Sequence, residues 1–191
     1  MKSIIRNISF TIIVILIQLL FISCSSSKYS IESDENGKPM IVGHLTWEEW
    51  QENAGWESYS APSYMPNLKR ANELSEIATD NGVDFLIFAG SWCEDTEREL
   101  PKLYKLITGA GIFPDKIFLY GVDRQKIEPS GTANYYKIEK VPTLVLEVEG
   151  EEIGRIVENP KLSWEEDILN ILREYKFREK QEEGKKELSD Q

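Results

Sequence analysis

The chain has 191 residues, enough for one domain with appendages, and its 41% hydrophobic content is compatible with a sizeable core. Against 33 Asp+Glu it sets 22 Lys+Arg, a formal net charge of −11 with no concentrated basic patch, which excludes nucleic acid as a partner. Two cysteines, Cys24 and Cys93, and one histidine, His44, are too few for a zinc or iron–sulfur centre, so neither a metal nor another cofactor is expected.

The first residues read as an address. Lys2 and Arg6 precede an almost wholly apolar run from Ile8 to Ile22, about right for a signal-peptide core and short for a spanning helix. The run ends Leu20-Phe21-Ile22-Ser23-Cys24 and is followed by Ser25, Ser26 and Ser27. This resembles the lipobox of bacterial lipoproteins. The resemblance implies cleavage before Cys24, lipidation of its sulfur as a thioether with palmitate among the acyl chains, and residence in the bacterial cell envelope. The domain would then be anchored to a membrane on its periplasmic or cell-surface side. An uncleaved anchor helix is the plainer alternative and leaves the rest equally exported. Residues 24–38 are polar and read as a flexible tether, roughly 20 Å in root-mean-square span.

Met40–Val42 is a short strand candidate beside His44, which reads as structural. Thr46 with Glu49 at capping-box spacing opens a helix through Trp50. Residues 53–66, with Gly55, Pro62 and Pro66, are a loop whose Trp56, Tyr59 and Tyr64 more often pack onto a core than line a groove. The recurrence of Leu68, Ala71, Leu74, Ile77 and Ala78 predicts a helix ending at Asn81-Gly82. Phe85–Ala89 is a buried strand, Thr96–Thr108 a helix, Lys116–Val122 a strand, and Thr132–Tyr136 a short helix. A hairpin, Thr143–Val148 and Glu152–Val157 about Glu149-Gly150, precedes an amphipathic helix from Trp164 to Phe177. The charged tail, 179–191, reads as frayed or disordered. Alternation followed by a hairpin implies an α/β domain over 39–178, a central mixed sheet with helices on both faces.

Within that order four landmarks accumulate: Trp92-Cys93-Glu94-Asp95-Thr96 after an apolar strand, Pro101 eight residues past the cysteine, Val122-Asp123 closing the next strand, and Tyr136-Lys137-Ile138-Glu139-Lys140-Val141-Pro142-Thr143. Together they resemble thioredoxin. The resemblance implies a thioredoxin-like fold in which Pro142 is a cis-proline. It makes Cys93 the nucleophile, and it leaves Trp92, Val141 and Pro142 to hold an extended substrate. A sulfur at a helix start faces unpaired N–H groups and the positive helix end, which favour thiolate. Thr96, one turn on, is placed to donate its hydroxyl to that sulfur.

The departures limit the chemistry. Thr96 stands where the family has its second cysteine, and Ile87 where it has a buried acid. With Cys24 lipidated no resolving thiol remains, so dithiol cycling is excluded and monothiol exchange resolved by a separate thiol reductant is left. The implied partners are exported proteins or small thiols and disulfides. Glu94, Asp95, Glu97 and Glu99 suit a helix start but oppose an adjacent thiolate. Two other readings stand beside it: a non-catalytic module binding exported proteins or peptides, and a thiol peroxidase, which the single nearby Arg98 and the absence of a Pro-x-x-x-Thr-x-x-Cys pattern disfavour.

Overall fold

A computed structural model describes residues 28–189. Twelve short elements arise where local pattern asks for them: β1 (Tyr29–Ser33), β2 (Pro39–Leu45), α1 (Trp47–Asn53), α2 (Leu68–Asp80), β3 (Asp84–Ala89), α3 (Glu94–Gly109), a single 3-10 turn (Pro114–Lys116), β4 (Ile117–Gly121), α4 (Thr132–Tyr135), β5 (Thr143–Val148), β6 (Glu151–Val157) and α5 (Trp164–Ser189). The Thr46 hydroxyl accepts from the Glu49 amide while the Glu49 carboxylate accepts from that of Thr46, the reciprocal cap expected for α1. At α2 the cap is one-way: the Asn67 side chain accepts the Arg70 N–H.

The six strands form one sheet in the order β1-β2-β4-β3-β5-β6. Only β3 and β4 run parallel, joined through α3; every other pair is antiparallel. The α/β class and the central mixed sheet expected from the element order are present. The two faces are unequal. The main core lies under α1, α2, α3 and α5 and includes Trp50, Leu74, Phe85, Ile87, Leu103 and Trp164. The other face carries Leu86, Phe88, Val122 and Val145 and is covered by the four residues of α4 and their flanks, chiefly Ala133, Tyr136 and Ile138. Strand alternation splits these sets: successive residues of β3 serve opposite cores.

Two boundaries differ from expectation. Residues 29–38, assigned to the tether, form β1 and a turn instead. Tyr29 pairs with Gly43 and Ser33 with Pro39, and the Asp34 carboxylate accepts the Asn36 and Lys38 amides at 2.8 Å. The stabilising partners of this hairpin are backbone groups and the distant Arg124, none of which shows in local composition. Gly43 permits the close approach: with φ +126 it sits where a Cβ would stand 2.4 Å from the Lys28 carbonyl oxygen. At the other end α5 continues to Ser189, through most of the tail expected to be disordered. Its charged residues are strong helix formers, and they extend a helix already nucleated by packing. The proposed signal segment, Cys24 and residues 25–27 lie outside the described residues, among which no helix is long and apolar enough to cross a membrane.

Candidate functional site

Cys93 stands at the junction of β3 and α3. Its backbone is extended (φ −100, ψ 123) and occupies the N-cap position, with the Glu97 amide donating to its carbonyl at 3.0 Å. The sulfur makes no capping bond to the helix N–H groups. It points across the sheet end, and its S–H donates to the Val141 carbonyl oxygen at 3.4 Å. The Val141–Pro142 peptide is cis, and both residues are buried, just before β5 begins at Thr143. The thiol itself is half-buried. The fold thus brings together Trp92, Cys93, Val141 and Pro142, which lie nearly fifty residues apart.

Thr96 takes a different place from the one expected. It is fully buried, and its hydroxyl oxygen accepts the Gly90 amide at 3.3 Å. No bond from Thr96 to the Cys93 sulfur exists among the described residues. One turn into α3, its side chain turns inward under the strand-to-helix bend, so it braces that bend rather than touching the thiol.

Trp92 lies over the Gly90 backbone. A Cβ at Gly90 would meet the indole at 2.8 Å, so the missing side chain makes room for the ring. The indole N–H donates to the Val122 carbonyl at 2.9 Å. Over its face stand the Arg124 guanidinium, 4.8 Å from the ring centroid, and the Lys126 ammonium at 5.6 Å. Both come from the turn after β4, held by the Asp123 carboxylate accepting the Ile127 amide. Arg124 also bonds Asp34 at 2.5 Å, tying the β1–β2 turn to this corner. That bond is the chief reason the Asp34 carboxyl lies below its ordinary pKa; burial opposes it, and the Lys38 and Asn36 amides add to it.

Ser91 is the hidden brace of the site. Its hydroxyl donates to the Pro39 carbonyl at 2.7 Å and accepts the Ile41 amide at 3.0 Å, fixing the start of β2. Its own carbonyl accepts the Trp56 indole N–H at 3.0 Å. Trp56 is buried and Tyr59 stacks on it, so these loop aromatics pack onto the core, and they steady the residue beside Trp92 as well.

Two of the four acidic residues of the helix start, Asp95 and Glu99, find cationic partners. Asp95 pairs with Arg98 at 2.5 Å, and Arg98 also reaches the Asn159 side chain. Glu99 turns into the main core, where its carboxylate accepts from Lys102 at 2.8 Å, Arg98 at 3.0 Å and the Trp164 indole at 3.1 Å. Burial alone would raise its pKa; those three donors outweigh it and bring the carboxyl below its usual range. Arg124, Lys126 and Ser91 escaped the sequence reading. Only the Val122-Asp123 strand end hinted that the following turn would border the thiol.

No family model and no curated protein matches the chain. Among solved structures, a point-mutant thioredoxin from Halobacterium salinarum NRC-1 is 25% identical, over 54% of this chain and 82% of that one, with a TM-score of 0.34. A Pseudomonas aeruginosa protein of unknown function is 13% identical over 68% of this chain and 96% of its own, also at 0.34. The molecule's own topology, a parallel β3-α3-β4 unit, a cis-proline opposite the helix-start cysteine and a terminal hairpin and helix, makes the fold α/β and thioredoxin-like.

Proposed function

We propose that this protein carries out monothiol thiol–disulfide exchange through Cys93, as a domain lipid-anchored at Cys24 in the bacterial envelope. The observation that carries the exchange reading is the half-buried sulfur 3.4 Å from the Val141 carbonyl, at the cis-proline entry to β5. In the first step the Cys93 thiolate attacks one sulfur of a partner disulfide. A Cys93–partner disulfide forms, the partner S–S bond breaks, and the second partner sulfur leaves as thiolate. In the second step an external thiolate attacks the partner's sulfur in this mixed disulfide and releases Cys93 as thiolate. The two steps together exchange one disulfide for another: the first partner sulfur ends bonded to the external thiol's sulfur, the second ends as thiolate, and Cys93 ends as it began. Cys93 is the free cysteine among the described residues, so no second thiol of this domain resolves the mixed disulfide; an external thiol or return of the partner's own thiolate must do so.

The Val141 carbonyl, held by the thiol in the resting state, becomes available as the sulfur changes partner. Trp92, fixed by Val122 and by its two cations, forms the side of the entry. Thr96 supports this reading only indirectly, by holding the bend from which Cys93 projects.

The test is capture of mixed disulfides by the full chain, read on non-reducing gels. Adducts that vanish with reductant and with Cys93→Ser support exchange. A folded protein whose Cys93 fails to react with small aromatic disulfides overturns it. Partners retained by Cys93→Ser but lost on changing Val141 transfer the role to binding alone.

A further inference from the structure

The sheet face under α4 is only partly covered, because α1 packs with its Trp47 and Trp50 on the opposite face. What remains open is a groove of about 410 Å³. Phe118 and Tyr120 of β4 form its floor, and Tyr135 of α4, 70% exposed, stands at its side. Two carboxylates close one end: Asp84 and Glu147, direct cross-strand partners of β3 and β5.

These two acids are not equivalent. The Lys116 ammonium lies 2.8 Å from the Asp84 carboxylate. Glu147 has no cation within ion-pair distance among the described residues, although it is half-buried. Burial first, and the neighbouring Asp84 second, push the Glu147 carboxyl above its ordinary range, against the weaker opposing pull of the Gly150 amide. An unmatched carboxylate in a half-dry, aromatic-walled groove is completed by a positive charge on an apolar stem. Aromatic faces attract such a charge, and the planar guanidinium both stacks on rings and bonds a carboxylate through paired N–H groups.

We propose that the groove receives an arginine side chain of a peptide partner, with Glu147 as its counter-ion and the rings of Phe118, Tyr120 and Tyr135 against its stem and guanidinium. Charge complementarity selects the occupant: the chain's formal charge of −11 draws basic partners toward it. The groove's volume lies at the small end for ligand sites, and its side is open at Tyr135, as suits a side chain inserted from a larger body. Asp84 and Glu147 pair at the start of β3 and Cys93 follows its far end, so the counter-ion and the thiol are separated by the strand's length, ~16 Å, while Tyr120 of the floor lies opposite Phe88 nearer the thiol. Arginine binding therefore stands or falls independently of thiol exchange.

The experiment is a nuclear magnetic resonance titration of the full chain, held in neutral detergent, with a capped Gly-Arg-Gly peptide and its citrulline counterpart. Saturable shifts at the Glu147, Tyr120 and Tyr135 amides with the arginine peptide are expected, with binding at least about tenfold tighter than for citrulline. Glu147→Gln should weaken the arginine peptide by a similar factor, and Tyr135→Ala, at a position 70% exposed, by about threefold. Equal binding of the two peptides, no shifts at these residues, or an unaltered affinity in Glu147→Gln overturns the proposal. Tetramethylammonium binding as tightly as the peptide overturns the arginine assignment in favour of a small amine site. Cys93→Ser, used in parallel, should leave every titration unchanged.

Discussion

The Cys93 sulfur faces the Val141 carbonyl oxygen from 3.4 Å, so a helix start and a strand entry 48 residues apart meet at one sulfur atom. The meeting depends on the bend between β3 and α3. There Thr96 holds the Gly90 amide, Ser91 holds β2, and the Trp92 indole fills the space a side chain at Gly90 would need. The Ser91 and Trp92 braces can each be tested by a single substitution.

Replacing Ser91 by Ala removes both bonds that lock the start of β2 and leaves the Ile41 amide and the Pro39 carbonyl without their partner. A loss of about 1–3 kcal/mol in urea denaturation is expected. Hydrogen exchange at Ile41 should accelerate more than exchange in β3. Equal acceleration across the sheet would mean that Ser91 braces nothing in particular.

Gly90→Ala places a methyl 2.8 Å from the Trp92 indole. The ring must leave its bond to Val122, at a cost of about 1–3 kcal/mol for overpacking. The indole N–H resonance of Trp92 should shift, and the reaction of Cys93 with an alkylating probe should change with it. An unmoved Trp92 resonance in the variant refutes this account.

Glu99→Gln takes the charge from a buried carboxylate that serves three donors. The expected cost is about 1–3 kcal/mol. The native carboxyl lies below its ordinary pKa, so its contribution is present at neutral pH and is lost as pH falls through that depressed value. The difference in stability between the parent and Glu99→Gln should therefore shrink as pH falls below the ordinary value of 4.5, as chemical denaturation across pH would show.

Glu147 has the opposite sign. Its native carboxyl is raised, so between the ordinary value of 4.5 and the native one the folded chain keeps a proton the unfolded chain gives up. Stability falls as pH rises through that window. Glu147→Gln should be more stable than the parent above it, by less than about 1 kcal/mol because solvent screens a half-exposed group. The two should converge in acid. A variant less stable than the parent at neutral pH contradicts this.

Local pattern was enough for most of the elements. The Thr46–Glu49 cap, the apolar spacing of α2 and α3 and the Glu149-Gly150 turn act over a few residues, and a chain carries such short-range rules wherever it goes. The pairing of Trp92-Cys93 with Val141-Pro142 was also readable, but by resemblance; their spacing carries no contact information of its own. The hairpin of β1 and β2 was missed, since Ser-, Glu- and Asn-rich residues gain their order from Asp34 bonding Arg124, 90 positions away. The inward turn of Thr96, the burial of Glu99 and the open groove beside Glu147 depended on which helix covered which face. Burial and charge pairing are properties of neighbours in space, so only the packed molecule could decide which carboxylate met a cation and which did not.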